Sequence, residues 1–157
     1  MPHEHRTFGV LLLALQFGLI LAIALAGGDA SWDPPTLVVA LGRLLEALGV
    51  VWIIGGAVSL GTSIAALPVP APGADLRTGG FYRWSRHPIY TGILALMIGA
   101  TVVDPGAARV VLCACLVAVL IVKARFEERL LVETYPGYRA YRAVTPRFVP
   151  SVRSSRR

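Results

Sequence analysis

The sequence predicts an all-α polytopic membrane protein with about four transmembrane helices and a cytoplasmic helical extension at its C-terminus. Three observations support this class. The chain of 157 residues is 55% hydrophobic and only 15% charged, and its mean hydropathy is +0.66. Its apolar residues form long runs, and most ionisable residues lie between those runs. That distribution is typical of an integral membrane protein rather than of a soluble domain.

The first apolar run, residues 8–26, is long enough to cross the hydrocarbon core of a bilayer. We expect it to be a retained membrane anchor, because it is longer than the usual core of a signal peptide. A cleavable signal peptide is the alternative, since Ala24-Leu25-Ala26 is similar to a small-residue cleavage site.

The second run, residues 36–67, is too long for one perpendicular span, so its membrane core is placed at residues 47–66. Arg43 and Glu46 interrupt its first part, which either lies at the interface or belongs to a strongly tilted helix. Small residues recur at intervals of four within the core, and this stripe predicts close helix packing. The stripe consists of Gly55, Ser59 and Ser63.

Two further helices are expected to form a hairpin around the turn Asp104-Pro105-Gly106. The second of them continues beyond the membrane until Pro136-Gly137 breaks it. These later elements are predicted at residues 88–103, 107–122 with an extension at 123–131, and 138–143. Cys113 and Cys115 point to different faces of one helix, cannot pair with each other, and are interpreted as packing residues.

The net charge of +6 is unevenly distributed. Lys and Arg are concentrated in the second loop and in the C-terminal tail, whereas the other loops carry Asp29, Asp33 and Asp104. By the positive-inside rule, both termini and the second loop face the cytoplasm, and a bacterial inner membrane is the expected location. Nucleic-acid binding is not expected for a chain that is mostly lipid-facing.

The segment Arg86-His87-Pro88 places charge directly against an apolar helix. Proline suits the first turn of a helix and forces the preceding residue into an extended conformation. The helix N-terminus then favours an anion, which Arg83 and Arg86 can also bind. Because this segment and residues 123–142 lie on the same side of the membrane, we predict one cytoplasmic pocket with walls from residues 81–92 and 125–142.

Ordinary structural roles remain open for several of these residues. The arginines of the second loop can act as topology signals that contact lipid phosphates. Lys123 and Glu127 can form an ion pair on the helix surface. The tyrosines can belong to an interfacial aromatic belt.

The run from Gly80 to Gly92 resembles the Arg-His-Pro-x-Tyr-x-Gly motif of the isoprenylcysteine carboxyl methyltransferase family and its phospholipid methyltransferase relatives. The residues Glu127-Glu128-Arg129-Leu130-Leu131 and the pair Tyr138 and Tyr141 are similar to the C-terminal signature of that family. A Pro-Phe-Pro region follows at Pro146, Phe148 and Pro150. The match covers about the last half of the chain, and its two parts occur in the family order.

The sequence predicts one integral membrane domain over residues 1–157, with two N-terminal spans at 1–67 and a disordered basic tail at 151–157. The resemblance implies that residues 76–150 are a methyltransferase-like cofactor-binding region. It also implies an enzyme that uses S-adenosylmethionine and methylates a lipophilic or small acceptor reached from the membrane lipids. Carried over to this chain, the cofactor-binding residues are Tyr82, Arg86, His87, Pro88, Tyr90, Gly92, Glu127, Glu128, Tyr138 and Tyr141. The proposed catalytic residues are Arg125, Glu128 and His87.

Methyl transfer from a sulfonium mainly requires alignment of the acceptor and exclusion of water, so no metal is expected. Gly92 is expected to let a ligand approach the helix backbone. Two alternatives remain. Sterol-type reductases that use NADPH have a similar motif, although this chain is short for them. The other alternative is a small non-enzymatic helix bundle or transporter. The charge of this chain is concentrated at one membrane face, which favours a surface pocket over a conduction path.

Overall fold

The computed structural model describes residues 3–29, 33–61 and 76–150. Within these ranges the chain is helical and contains no strand, which confirms the predicted all-α class. The helices are α1 (His3–Leu25), α2 (Thr36–Leu60), a 3-10 helix (Gly80–Arg83), α3 (Pro88–Val103), α4 (Ala107–Thr134) and α5 (Tyr138–Val144). By length and composition α1, α2 and α4 can each cross a membrane, and α3 is a shorter apolar helix.

The helix boundaries follow from local backbone chemistry. Pro88 occupies the first turn of α3, and His87 before it lies outside the helical region, with φ −128° and ψ 65°. Proline disfavours the helical conformation for the residue that precedes it. Gly61 follows the last residue of α2 with φ 58°, a left-handed conformation that glycine adopts without steric cost.

Helices α2 and α3 pack so closely that their backbones touch. The buried glycines of α2 recur at intervals of seven, and those of α3 face them; they are Gly42, Gly49 and Gly56 on α2, and Gly92 and Gly99 on α3. A Cβ atom on Gly92 would lie 2.6 Å from the carbonyl oxygen of Gly49 and 2.7 Å from the backbone nitrogen of Ile53. Small residues of this kind allow van der Waals packing between helices in a membrane.

The predicted stripe of small residues has a different partner. Gly55 lies under the ring of Phe81, and Ser59 accepts a hydrogen bond from the Phe81 backbone N–H at 3.1 Å. This part of α2 therefore packs against the 3-10 helix, whereas the seven-residue series packs against α3. Ser63 lies outside the described residues.

Helix α4 packs mainly along α1, and both contribute to the core. The buried core consists of Ile23, Cys113, Leu116 and Leu120, with side chains of α3 packed against it. Cys113 is buried and Cys115 is exposed; both are free thiols, as their spacing predicts. Near the other end of the same helix pair, the rings of Phe8 and Phe126 meet edge to face with centroids 5.0 Å apart.

A second set of contacts closes the bundle at the end where α3 turns into α4. Arg109 forms an ion pair with Asp104 at 2.7 Å and donates to the carbonyl of Ala26 at 2.5 Å. The Asp104 carboxylate also accepts the backbone N–H of Gly28 at 3.2 Å. The end of α1 and the α3–α4 turn are thus joined here, which leaves the Arg86-His87-Pro88 segment at the opposite end.

Candidate functional site

The strap, defined as residues 85–88, is fixed by the segment that follows α5. The backbone N–H of Arg86 donates to the carbonyl of Pro146 at 2.9 Å, and that of His87 donates to the carbonyl of Arg147 at 3.2 Å. The Ser85 hydroxyl donates to the same Arg147 carbonyl at 2.8 Å. The backbone N–H groups of Arg86 and His87 precede α3, and the segment after α5 supplies their acceptors.

Three positively charged or ionisable side chains converge on the carboxylate of Glu128, which is 2% exposed. Arg147 approaches both oxygens, with each N–O distance 2.9 Å. The guanidinium of Arg86 lies 3.0 Å from Oε1, and Nε2 of His87 lies 3.3 Å from the same atom. Glu128 is therefore fully engaged by groups from the strap and from the C-terminal segment.

Arg86 also holds α5 in place. Its Nη1 donates to the carbonyls of Arg142 and Thr145, each at 2.8 Å. A guanidinium has five N–H donors; the hydrogen bonds to these carbonyls and to Glu128 occupy three of them, and Nη2 lies 3.0 Å from Oε1 of Glu128. Arg86 therefore has little capacity left to bind an anion and mainly organises the surrounding backbone.

Glu127 has a different set of partners. One of its oxygens accepts a very short hydrogen bond from the Tyr90 hydroxyl, and the other lies 3.4 Å from Nδ1 of His87. The rings of His87 and Tyr90 are stacked, with centroids 5.3 Å apart and planes only 4° from parallel. His87 thus lies between the two adjacent glutamates and against an aromatic face.

The two glutamates decide the protonation of His87. Burial on its own lowers the pKa of this histidine, but hydrogen bonds and charge interactions with Glu127 and Glu128 outweigh burial. The pKa of His87 is consequently raised above its ordinary value of 6.5. An imidazolium at this position balances part of the negative charge of the glutamate pair.

We expect the stability of the protein to fall as the pH rises through the pKa of His87. The imidazolium has its carboxylate partners only in the folded state, so its contribution is complete below the ordinary pKa of 6.5 and is lost above the raised one. The loss is at most about 1.4 kcal/mol per pH unit for one proton. Thermal unfolding in detergent from about pH 5 to about pH 9 measures this slope.

His87→Gln removes the titrating group and should give a flatter profile over this range. His5→Gln is the matched control, because His5 lies on α1 outside the Glu127–Glu128 cluster and should keep the wild-type slope. Equal slopes in His87→Gln and the wild type would contradict the prediction.

Tyrosines form another side of this region. The Tyr141 hydroxyl donates to the carbonyl of Tyr82 at 2.5 Å, and the rings of Tyr138 and Tyr141 lie 5.8 Å apart. Tyr138 is 1% exposed, and its hydroxyl has no hydrogen-bond partner among the described residues. Burial and then the charge of Glu128 raise the pKa of Tyr138, so this hydroxyl keeps its proton. Burial likewise raises the pKa of Tyr82 to about 12.

Most of the residues predicted from the sequence take part in the contacts around Glu127 and Glu128, but three do not. Gly92 turns its bare face toward Gly49 and Ile53 of α2, so close helix packing explains the glycine there. Arg125 is exposed on α4 and takes no part in the contacts around Glu128. Arg83 is also exposed, with its guanidinium 5.1 Å from the centre of the Trp84 ring.

Sequence reasoning missed two cations of the site. Arg147 lies between Pro146 and Phe148 of the quoted motif, and a basic residue flanked by two motif positions was the available signal. Lys123 does not form the suggested surface ion pair with Glu127, because it is 2% exposed and donates to Gln16 at 2.8 Å. The only sequence signal for the burial of Lys123 was its position at the end of an apolar run.

A protein-family model described as phospholipid methyltransferase matches residues 37–137, which is well over half of the chain. No curated protein sequence matches the chain. The matched region includes α2, the strap, α3 and α4, and it leaves α1 outside.

Proposed function

Because this chain belongs to the phospholipid methyltransferase family, we propose that it is an integral membrane methyltransferase that uses S-adenosylmethionine. Its methyl acceptor is a lipophilic or small molecule reached from the surrounding lipid. The observation that carries the proposal is the meeting of the strap with the glutamate pair of α4, centred on Glu128. The two parts of the family motif, distant in sequence, thereby supply one group of ligand-binding side chains.

The side chains present fit this cofactor. The unpartnered hydroxyl of Tyr138 is a buried donor, which a ligand oxygen or nitrogen would satisfy. Glu127, with one histidine and one tyrosine as direct partners, offers negative charge to a cationic ligand. Tyr82, Tyr138 and Tyr141 supply aromatic faces, which attract a sulfonium cation. When bound, S-adenosylmethionine supplies an already activated methyl group.

The chain's own groups are suited to binding and orientation rather than to deprotonation of the acceptor. Glu128 is held by Arg86, Arg147 and His87, so its lone pairs are engaged. His87 lies between two carboxylates that favour its protonated form, so it is not suited to act as a general base. We propose that Glu127 faces the cofactor, that Glu128 fixes the strap, and that Arg125 orients the acceptor from the exposed side of α4.

The membrane arrangement follows from the charge distribution. Basic residues surround the strap and α5, whereas Asp29 and Asp104 lie at the opposite end of the bundle. We propose that both termini and the strap face the cytoplasm, in a bacterial inner membrane. The acceptor then diffuses in from the lipid and the cofactor from the cytoplasm.

Ligand binding by the purified protein tests the proposed function. We expect saturable binding of S-adenosylmethionine and of its demethylated product in the micromolar range, about −8 kcal/mol. His87→Ala should weaken it at least tenfold, which corresponds to about 1.4 kcal/mol. NADPH is the competing ligand of a sterol-type reductase. Saturable binding of NADPH without binding of S-adenosylmethionine would overturn the proposal.

Tyr138→Phe should separate ligand binding from stability. It removes only the unpartnered hydroxyl, and a buried unsatisfied group costs about 1–3 kcal/mol, so the variant should unfold at the same or a higher temperature than the wild type. Its affinity for S-adenosylmethionine should fall about fivefold to tenfold, because a ligand hydrogen bond is lost. Tyr135→Phe, which changes a tyrosine at the end of α4, is the control. Unchanged affinity in Tyr138→Phe would remove this tyrosine from the binding site.

A further inference from the structure

Lys123 is a charged residue buried inside the helix bundle. It is 2% exposed, and its ammonium donates to the side-chain carbonyl of Gln16 at 2.8 Å. Gln16 is itself 3% exposed and belongs to α1, which the family model does not cover. Burying a charge within a bundle is costly, so an ammonium whose one hydrogen-bond partner among the described residues is neutral calls for a functional reason.

The ammonium of Lys123 lies directly beside the candidate site. It is 5.0 Å from the centre of the Tyr90 ring, within the range of a cation–π interaction. That ring stacks on His87, and its hydroxyl donates to Glu127. Lys123 and Glu127 are four residues apart on α4, and their opposite charges interact.

The charges around the two glutamates are arranged unequally. Glu128 has direct contacts with Arg86, Arg147 and His87, whereas His87 is the one basic group in the described part of the chain that contacts Glu127 directly. Lys123 supplies a second positive charge near Glu127 without occupying either of its oxygens. Glu127 therefore keeps capacity to accept from a ligand, while the ammonium of Lys123 holds the Tyr90 ring.

We propose that Lys123, held by Gln16 of α1, is a positioning residue that fixes the Tyr90–Glu127 pair for ligand binding. This role rests on the proposed function, since it concerns the same site. It extends the site to α1, which contributes through one buried hydrogen bond rather than by touching the ligand. Helix α1 is then part of the functional unit and not only an anchor.

The experiment separates positioning from simple support of the bundle. Lys123→Met alone leaves the Gln16 amide unpaired and should lower the unfolding temperature. The double variant Gln16→Leu/Lys123→Met removes both polar partners and should regain most of the lost stability, since replacing both groups of a buried hydrogen bond is nearly neutral. The imidazole resonances of His87, assigned in detergent by comparison with His87→Gln, then report on Glu127 without any cofactor.

A positioning role predicts that the folded double variant shows displaced His87 resonances and binds S-adenosylmethionine at least tenfold more weakly than the wild type. Arg129→Met, which removes an exposed cation from the same helix, should leave both measurements unchanged. Wild-type His87 resonances in the folded double variant would overturn the proposal. The His87 resonances test the positioning role of Lys123 even if the wild type binds no S-adenosylmethionine. Failure of the positioning role is therefore distinguishable from failure of the proposed methyltransferase function.

A second variant, Gln16→Glu, tests the positioning role if the double variant does not fold. Gln16→Glu keeps both side chains polar and offers the ammonium a charged partner on α1. It should draw Lys123 away from Tyr90 and displace the same His87 resonances. An unchanged His87 spectrum in Gln16→Glu would likewise contradict a positioning role.

Discussion

Glu128→Ala is expected to abolish detectable binding of S-adenosylmethionine and to destabilise the protein by about 3–5 kcal/mol, the usual cost of breaking a buried ion pair. The variant leaves Arg86, Arg147 and His87 without their shared carboxylate. The first two also carry the contacts that hold the strap to α5 and to the C-terminal segment. Thermal unfolding and ligand titration of the purified variant measure the two effects.

Glu128→Gln distinguishes the charge from the hydrogen bonds. It keeps the shape and one acceptor oxygen, so we expect a smaller loss of stability and at least tenfold weaker binding. Glu133→Gln is the matched control, because Glu133 is exposed on the same helix and should behave like the wild type. A Glu128→Ala protein with wild-type stability would show that the buried network does not hold the strap.

Gly92→Ala is expected to destabilise the protein by about 1–3 kcal/mol, although it adds one methyl group. The added Cβ would lie 2.6 Å from the Gly49 carbonyl oxygen and 2.7 Å from the Ile53 backbone nitrogen. Neither atom can move without moving α2, so the two helices must separate. The thermal unfolding midpoint should fall, and ligand binding should weaken because α3 carries Tyr90.

Gly18→Ala provides the matched control for this substitution. Gly18 is also in a helix, but a Cβ there meets nothing within 4 Å. Alanine is the better helix former by about 1 kcal/mol, so this variant should be as stable as the wild type or slightly more stable. If Gly92→Ala were equally harmless, the backbone contact between α2 and α3 would be looser than the structure indicates.

The parts of the fold that depend on local chemistry were predictable. Pro88 marks the start of α3 because proline fixes its own φ and restricts His87, and the helix ends at Val103 as expected. The predicted continuation of the fourth helix past residue 122 is confirmed, since α4 extends to Thr134. The ordered motif also brought Arg86, His87 and Glu128 to the same end of the molecule, as the resemblance implied.

The remaining features depend on tertiary contacts, which periodicity does not encode. A four-residue spacing drew attention to Gly55 and Ser59, yet helix contact runs through glycines seven residues apart. Lys123 reads as the first residue beyond an apolar run, and only the position of Gln16 on another helix makes it buried. Arg147 lies in a segment without regular structure, so no helical pattern indicated that it contacts Glu128.

The backbone contact between α2 and α3 has a consequence for mobility. Main-chain atoms have no alternative rotamers, so we expect α2 and α3 to move as one rigid body. Pro88 and Tyr90 then keep fixed positions relative to α2. Residues 145–148, in contrast, are attached through hydrogen bonds and ion pairs that water can replace. If the site has to open for a ligand, we expect residues 145–148 to move and the contact between α2 and α3 to stay closed.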